Sequence, residues 1–128
     1  MTVTDGTLAV SRSSAISKLA IRLMSRYAGR GPNQTRTYFN DDIVTIVMRD
    51  LLTKPETSLL DNGKNDLVLS TRKAFQEVMS GELIAGVEEI MHRKVIAFLS
   101  ANSVEPDIAV ETFVLAPTER QEADAERG

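Results

Sequence analysis

The sequence predicts an α+β domain: a four-stranded antiparallel sheet made from two hairpins, with a long helix and an N-terminal helix, in the order α-β-β-α-α-β-β. Three observations predict it. Apolar residues recur at spacings of three and four over residues 13–28 and again over 66–91, the period of one helix face. Two pairs of runs rich in β-branched and aromatic residues, 35–39 with 43–52 and 95–101 with 108–116, each enclose a turn-prone stretch. With 128 residues, 42% of them hydrophobic, the chain can bury one core and is too short for two; without cysteine it is neither a disulfide scaffold nor a cysteine-zinc module.

Each element has its own local reason. Residues 1–12 carry no periodicity and are expected as a flexible tail, so the single domain spans 13–116 and a disordered acidic tail follows at 117–128. In the first helix Ile16, Leu19, Ala20, Leu23, Met24 and Tyr27 share a face; Ser13 or Ser14 suits its N-cap, and Gly29, Gly31 and Pro32 suit its stop. The triplet Asn40-Asp41-Asp42 turns the first hairpin, whose second strand points Val44, Ile46 and Met48 toward the core. Thr53 and Glu56 form a capping box that opens a short helix from Lys54 to Asp61, ended by Asn62-Gly63. Asp66 offers a cap to the long helix, which runs to His92, and Gly81 and Gly86 inside it predict a bend or a close packing contact. Pro106 sits in the loop of the closing hairpin, and the run Val95 to Leu99 is apolar on both sides, so its second face needs either the first helix or a partner subunit.

Charge is unevenly distributed. Residues 1–36 sum to +5, which leaves −8 for the other 92 residues of a chain whose net charge is −3. Complementary patches of this kind, together with the two-sided apolar strand, predict a homodimer. Lys18, Arg22, Arg26 and Arg30 recur every four residues, a basic stripe along the first helix suited to an acidic protein partner or an anionic membrane surface, its plain reading being a solvated flank. Nucleic acid fits poorly, because six aromatic residues and an acidic remainder supply no stacking platform. No apolar stretch approaches the roughly 20 residues of a membrane span, and the N-terminus lacks the order of a signal peptide, so the expected location is cytoplasmic, at most peripheral to the membrane.

The segments Gly29-Arg30-Gly31-Pro32, Arg36 through Val44, and Leu51 through Leu60 resemble the MpsC-like family, a domain of unknown function attributed to a sodium-translocating, membrane-potential-generating system. The resemblance continues through Leu67-Val68 to Arg72 and the closing hairpin from Val95 to Val114, and covers roughly residues 13–116. The junction Met91-His92-Arg93 and the loop 100–107 depart from the family pattern. The resemblance implies an accessory role in membrane ion or inorganic-carbon transport. It brings no catalytic residues with it.

The GRGP turn is the candidate ligand site. Gly31 lets the backbone approach a ligand, while Arg30 and Arg36 offer charge-assisted hydrogen bonds to bicarbonate, phosphate or a carboxylate; as plain structure it is a helix C-cap and a loop. Asp41 and Asp42 read as turn formers, and His92, the one histidine, as a helix-end residue, so neither a metal nor a cofactor is expected. No serine has a histidine and an aspartate in a recognisable context, which leaves nucleophilic catalysis without a basis. The reading is therefore a non-catalytic binding or adaptor domain, the alternative being a small-oxyanion binder or a small enzyme that uses the turn at residues 29–32.

Overall fold

A computed structural model describes residues 5–127 and gives eight elements: α1 (Asp5–Ala28), β1 (Gln34–Asn40), β2 (Ile43–Arg49), α2 (Lys54–Asp61), α3 (Asn65–Met91), β3 (Val95–Val104), β4 (Asp107–Leu115) and α4 (Glu119–Arg127). The first seven follow the expected order. The ends differ. Where a flexible tail was expected at 1–12, α1 begins at Asp5; residues 1–4 lie outside the described residues. Residues 6–11 are helical but exposed, and the Ser13 hydroxyl, expected to cap, instead donates to the Val10 carbonyl 2.9 Å away inside the helix. The tail expected to be disordered at 117–128 is helical from Glu119 to Arg127, with residue 128 outside the described residues. Thr118 and Gln121 explain this, since the Gln121 amide donates to the Thr118 hydroxyl at 3.2 Å and the Thr118 amide to the Gln121 side chain at 2.7 Å, a reciprocal cap.

Elsewhere local chemistry acts as read, except at the start of α3. Gly29 closes α1 with φ +81°, donating its N–H to the Ser25 carbonyl. Gly31 passes close to α1: a Cβ there would lie 2.7 Å from the Ser25 hydroxyl oxygen and 3.3 Å from Ile21 Cγ2. Thr53 and Glu56 form the capping box of α2. Asp66 does not cap α3; Lys64 stands at the N-cap without a side-chain bond, and Asp66 sits in the first turn, where its charge complements the helix dipole. His92 ends α3 in the left-handed conformation, at φ 54°.

The four strands form one antiparallel sheet in the order β1-β2-β4-β3. Both hairpins are intact, and β4 is inserted between β2 and its own partner β3, with Ile46 opposite Glu111 and Phe98 opposite Phe113. One face carries Val44, Ile46 and Met48 from β2 and Ala109, Phe113 and Leu115 from β4, all buried against Ile16, Leu19, Leu23 and Met24 of α1 and Met79, Leu83 and Val87 of α3. Both helices cover this same face, α1 over β1 and α3 over β3. The first helix therefore does not cover the other side of the third strand. In this edge strand a register shift between Val95 and Ala97 leaves Ile96 as an extra, exposed residue and reverses the alternation, so Val95 and Phe98 lean on the core while Ala97 and Leu99 sit on the open face.

The two glycines of α3 have different roles. A Cβ on Gly86 would meet the Leu19 Cδ2 at 2.3 Å, so this glycine lets α1 approach α3, whereas a Cβ on Gly81 would meet nothing within 4 Å. Gly86→Ala should destabilise the fold by about 1–3 kcal/mol through overpacking, while Gly81→Ala should stabilise it by about 0.5–1 kcal/mol through helix propensity. Urea unfolding monitored by circular dichroism on dilute protein measures both, and equal shifts would show that α1 and α3 do not touch at Gly86.

Candidate functional site

The residues singled out in the sequence fall on three different surfaces. Arg30 donates to the Leu52 carbonyl and lies 3.5 Å from the Asp50 carboxylate, so it clamps the chain leaving β2. The cavity beside it, about 690 Å³, is also lined by Lys54, Asp50 and Asp61, so its two cationic and two anionic side chains balance and give it no net attraction for an anion. Arg36 lies elsewhere, on the sheet face turned away from the helices, opposite Val47. There it lines a smaller hollow of about 260 Å³ with Gln34, Tyr38, Val47 and Arg49. The structure thus places Arg36 with Arg49, a residue the sequence reading did not select, and places Arg30 and Gly31 in the architecture of the turn.

Lys18 and Arg22 are exposed along α1, as expected of a stripe. Arg26 is partly committed, lying 3.4 Å from the Glu82 carboxylate and over the Tyr27 ring. Tyr27 donates to Glu82 as well, and that hydrogen bond is the main cause that raises its pKa above the usual phenol value. Asp42, expected only as a turn former, also holds the sheet corner: Arg93 Nη2 donates to it at 2.7 Å and Gln121 Nε2 at 3.0 Å, and these bonds, Arg93 first, hold its carboxyl below the usual range.

The sheet face away from the helices is the broad surface of the molecule. Along paired positions it presents Tyr38 with Thr45, Thr45 with Thr112, Thr112 with Leu99, and Ile43 with Val114. Tyr38, Ile43 and Leu99 are exposed, and Val47, Val110 and Val114 are half-buried only by their neighbours in the sheet. At one end stand Arg36 and Arg49, both exposed. A centre of valines around the paired Thr45 and Thr112, with apolar Ile43 and Leu99 exposed beside it and two guanidinium groups at its margin, has the mixed composition of a protein-contact patch.

Sequence reasoning missed a second feature, a polar cluster inside the core. Glu111 is 1% exposed on β4, in the middle of the face that packs against α3. Its Oε1 accepts from Gln76 Nε2 at 2.7 Å and from the Ser100 hydroxyl at 3.0 Å, while Oε2 has no partner among the described residues. Gln76 and Asn102 exchange amide hydrogen bonds at 2.7 and 2.9 Å. One turn earlier on α3, buried Arg72 donates to Asp107 at 2.7 Å, and the other oxygen of Asp107 accepts the backbone N–H groups of Leu51 and Leu52 at 2.7 and 2.8 Å. Gln76, Ser100 and Asn102 also line a groove of about 520 Å³ between α3 and β3, bounded by Leu69, Phe98, Lys73 and Glu77. Glu111 shares its side of β4 with Ala109, Phe113 and Leu115, but Ile108, Val110 and Val114 make the other side equally apolar, so alternation alone leaves the inner side undecided; the packing of α3 over Glu111 puts it inside.

Burial pushes the Glu111 carboxyl up to about 7, the Ser100 and Gln76 hydrogen bonds opposing it. The unfolded chain therefore ionises at this residue near pH 4.5 while the folded chain keeps its proton to about pH 7, so stability falls as pH rises between those values and levels off above them. The loss amounts to about 3 kcal/mol. Glu111→Gln keeps the shape and removes the charge. It should be more stable than wild type by up to this amount at pH 8 and nearly equal to it at pH 4.5. Thermal melts across that range give the comparison, and parallel pH profiles of the two proteins would show that Glu111 is not the titrating group.

A family model described as "Na+-translocating membrane potential-generating system (MpsC)" matches residues 10–117 of the chain. Neither the curated proteins nor the solved structures contain a significant match.

Proposed function

Because this chain belongs to the MpsC family, described as a Na+-translocating membrane potential-generating system, we propose that it is a non-catalytic binding domain accessory to such a membrane system. It docks on a protein component through the open sheet face. The observation that carries this reading is that face itself, with exposed Tyr38, Ile43 and Leu99 and half-buried Val47, Val110 and Val114, on the side of the sheet opposite α1 and α3. No helix among the described residues is long and apolar enough to cross a membrane, so attachment to the system through a surface is the role that fits the described part of the chain.

The dimensions set the strength of the contact. Strands of 7, 7, 9 and 10 residues, rising about 3.3 Å per residue and spaced about 4.8 Å apart, give a face of about 520 Å². That is about two thirds of what a stable complex buries per partner, which makes docking transient. Arg36 and Arg49 at its margin select an acidic partner and speed association more than they tighten it. The same pair is the best-placed group for a small oxyanion, the rival reading. The stripe of Lys18, Arg22 and Arg26 supports a third outcome, attraction to anionic lipid at about 1 kcal/mol per basic residue, because the apolar face of α1 is already committed to the core.

Co-sedimentation with membranes of the source organism, with the same membranes after proteolysis, and with protein-free anionic vesicles separates these outcomes. The protein should pellet with native membranes, lose that binding after proteolysis, and lose at least 10-fold in affinity when Arg36 and Arg49 are both changed to Glu. Equal pelleting with vesicles that disappears when Lys18, Arg22 and Arg26 become Gln would overturn the protein-docking reading in favour of lipid. Calorimetric heat with bicarbonate or phosphate that vanishes in Arg36→Ala would replace it with oxyanion binding.

A further inference from the structure

We propose that the outward side of α3 is the contact for a second copy of this chain, packed antiparallel across a two-fold axis. The inner side of α3 is spent on the core through Val68, Met79, Leu83 and Val87, yet the outer side is also apolar. Leu67, Thr71, Ala74, Val78, Gly81 and Ala85 follow one another at spacings of four and three, the repeat that keeps a seam on one side of a helix. Leu67 is 51% and Val78 65% exposed, and Phe75 and Ala74 border a shallow hollow of about 340 Å³ beside Val78. A second apolar strip on the side of a helix away from the core, between charged flanks, marks a contact surface.

The fold leaves it uncovered for a definite reason. Helix α1 runs antiparallel to α3, with Leu19 at Gly86 and Tyr27 at Glu82, and it ends at Ala28. The half of α3 before Glu82 therefore projects past the end of α1. Charges stay off the seam: Lys73 and Glu77 lie on one flank, and Glu82 lies on the other, where Arg26 and Tyr27 hold it.

The residues of the seam fit their own copy in one register. Laid antiparallel, Leu67 meets Ala85 of the second copy, Thr71 meets Gly81, and Ala74 meets Val78, and the two-fold axis repeats each pair. Every layer sets a larger side chain against a smaller one, so the layers have similar volume and the helices can approach closely. A parallel pair would instead set Leu67 on Leu67 and Gly81 on Gly81, bulging at one end and hollow at the other. The seam is about 27 Å long and, at a helix width of about 10 Å, covers about 270 Å² per copy, a third of a standard interface. The dimer is accordingly weak, with dissociation in the high micromolar range.

Sedimentation equilibrium of the full chain from 10 µM to about 1 mM tests this, with circular dichroism to show that each variant is folded. Wild type should pass from monomer to dimer over that range. Val78→Glu, at an exposed position, should weaken association at least 10-fold. The double swap Ala74→Val with Val78→Ala leaves the contents of that layer unchanged and should dimerise like wild type. A wild type that stays monomeric, a Val78→Glu variant that dimerises normally through the open sheet or the β3 edge, or a double swap as weak as Val78→Glu would each overturn the proposal.

Discussion

Two helices on one face of a four-stranded sheet is the constraint on which the rest of this structure depends. A sheet has two faces and α1 and α3 share one of them, so Val44, Ile46, Met48, Phe113 and Leu115 have a complete core, while Val47, Val110 and Val114 are sheltered only within the sheet. Burial of the first face supplies the hydrophobic stabilisation, at about 25 cal/mol for each Å² of apolar surface removed from water. The second face is what remains for partners. Gly86 belongs to the same constraint, because α1 and α3 must sit side by side above one sheet and the absent Cβ sets how near they come.

The insertion of β4 between β2 and β3 has a second consequence. It puts the middle of β4 directly beneath α3, and Glu111 is at that middle. A buried carboxylate is costly unless it is hydrogen-bonded or protonated, and here both occur: Gln76 and Ser100 satisfy one oxygen, and the raised pKa keeps the other neutral at mildly acidic pH. The neighbouring pair of Arg72 and Asp107 is stabilised differently, since Asp107 also accepts the N–H groups of Leu51 and Leu52 and so ties α3, β4 and the chain leaving β2 together. Deleting one partner of such a pair costs about 3–5 kcal/mol, more than any exposed pair here could contribute.

The basic residues near the start of the chain divide the same way. Arg30 is engaged by the Leu52 carbonyl and Asp50, and Arg26, though exposed, is partly engaged by Glu82 and the Tyr27 ring. Lys18, Arg22, Arg36 and Arg49 face solvent. Counting charge along the chain cannot separate these groups, because an engaged and a free guanidinium are the same letter. Arg49 lies thirteen residues after Arg36 and joins it only because the hairpin register sets Gln34 opposite Arg49 and Arg36 opposite Val47.

What the sequence by itself determined is local. The periods of three-to-four and of two, the Thr53–Glu56 capping box, the Gly29 stop and the Asn40-Asp41-Asp42 turn act over a few residues, and they were enough for the fold class, the order α-β-β-α-α-β-β and the core face of β2. The helix ends escaped because Ser13 reads as a cap wherever it stands, and only the continued turns before it show its hydroxyl bonded inward; at the other end, the Thr118–Gln121 cap is local too and was legible but unread. The tertiary structure alone decided which strand neighbours which, that α1 joins α3 on one face, that Glu111 is inside, and that Arg36 stands with Arg49 and not with Arg30. The physical reason is that strand order and layer choice depend on burying area between segments far apart in sequence, where many arrangements satisfy the same local periods and only the packed whole distinguishes them.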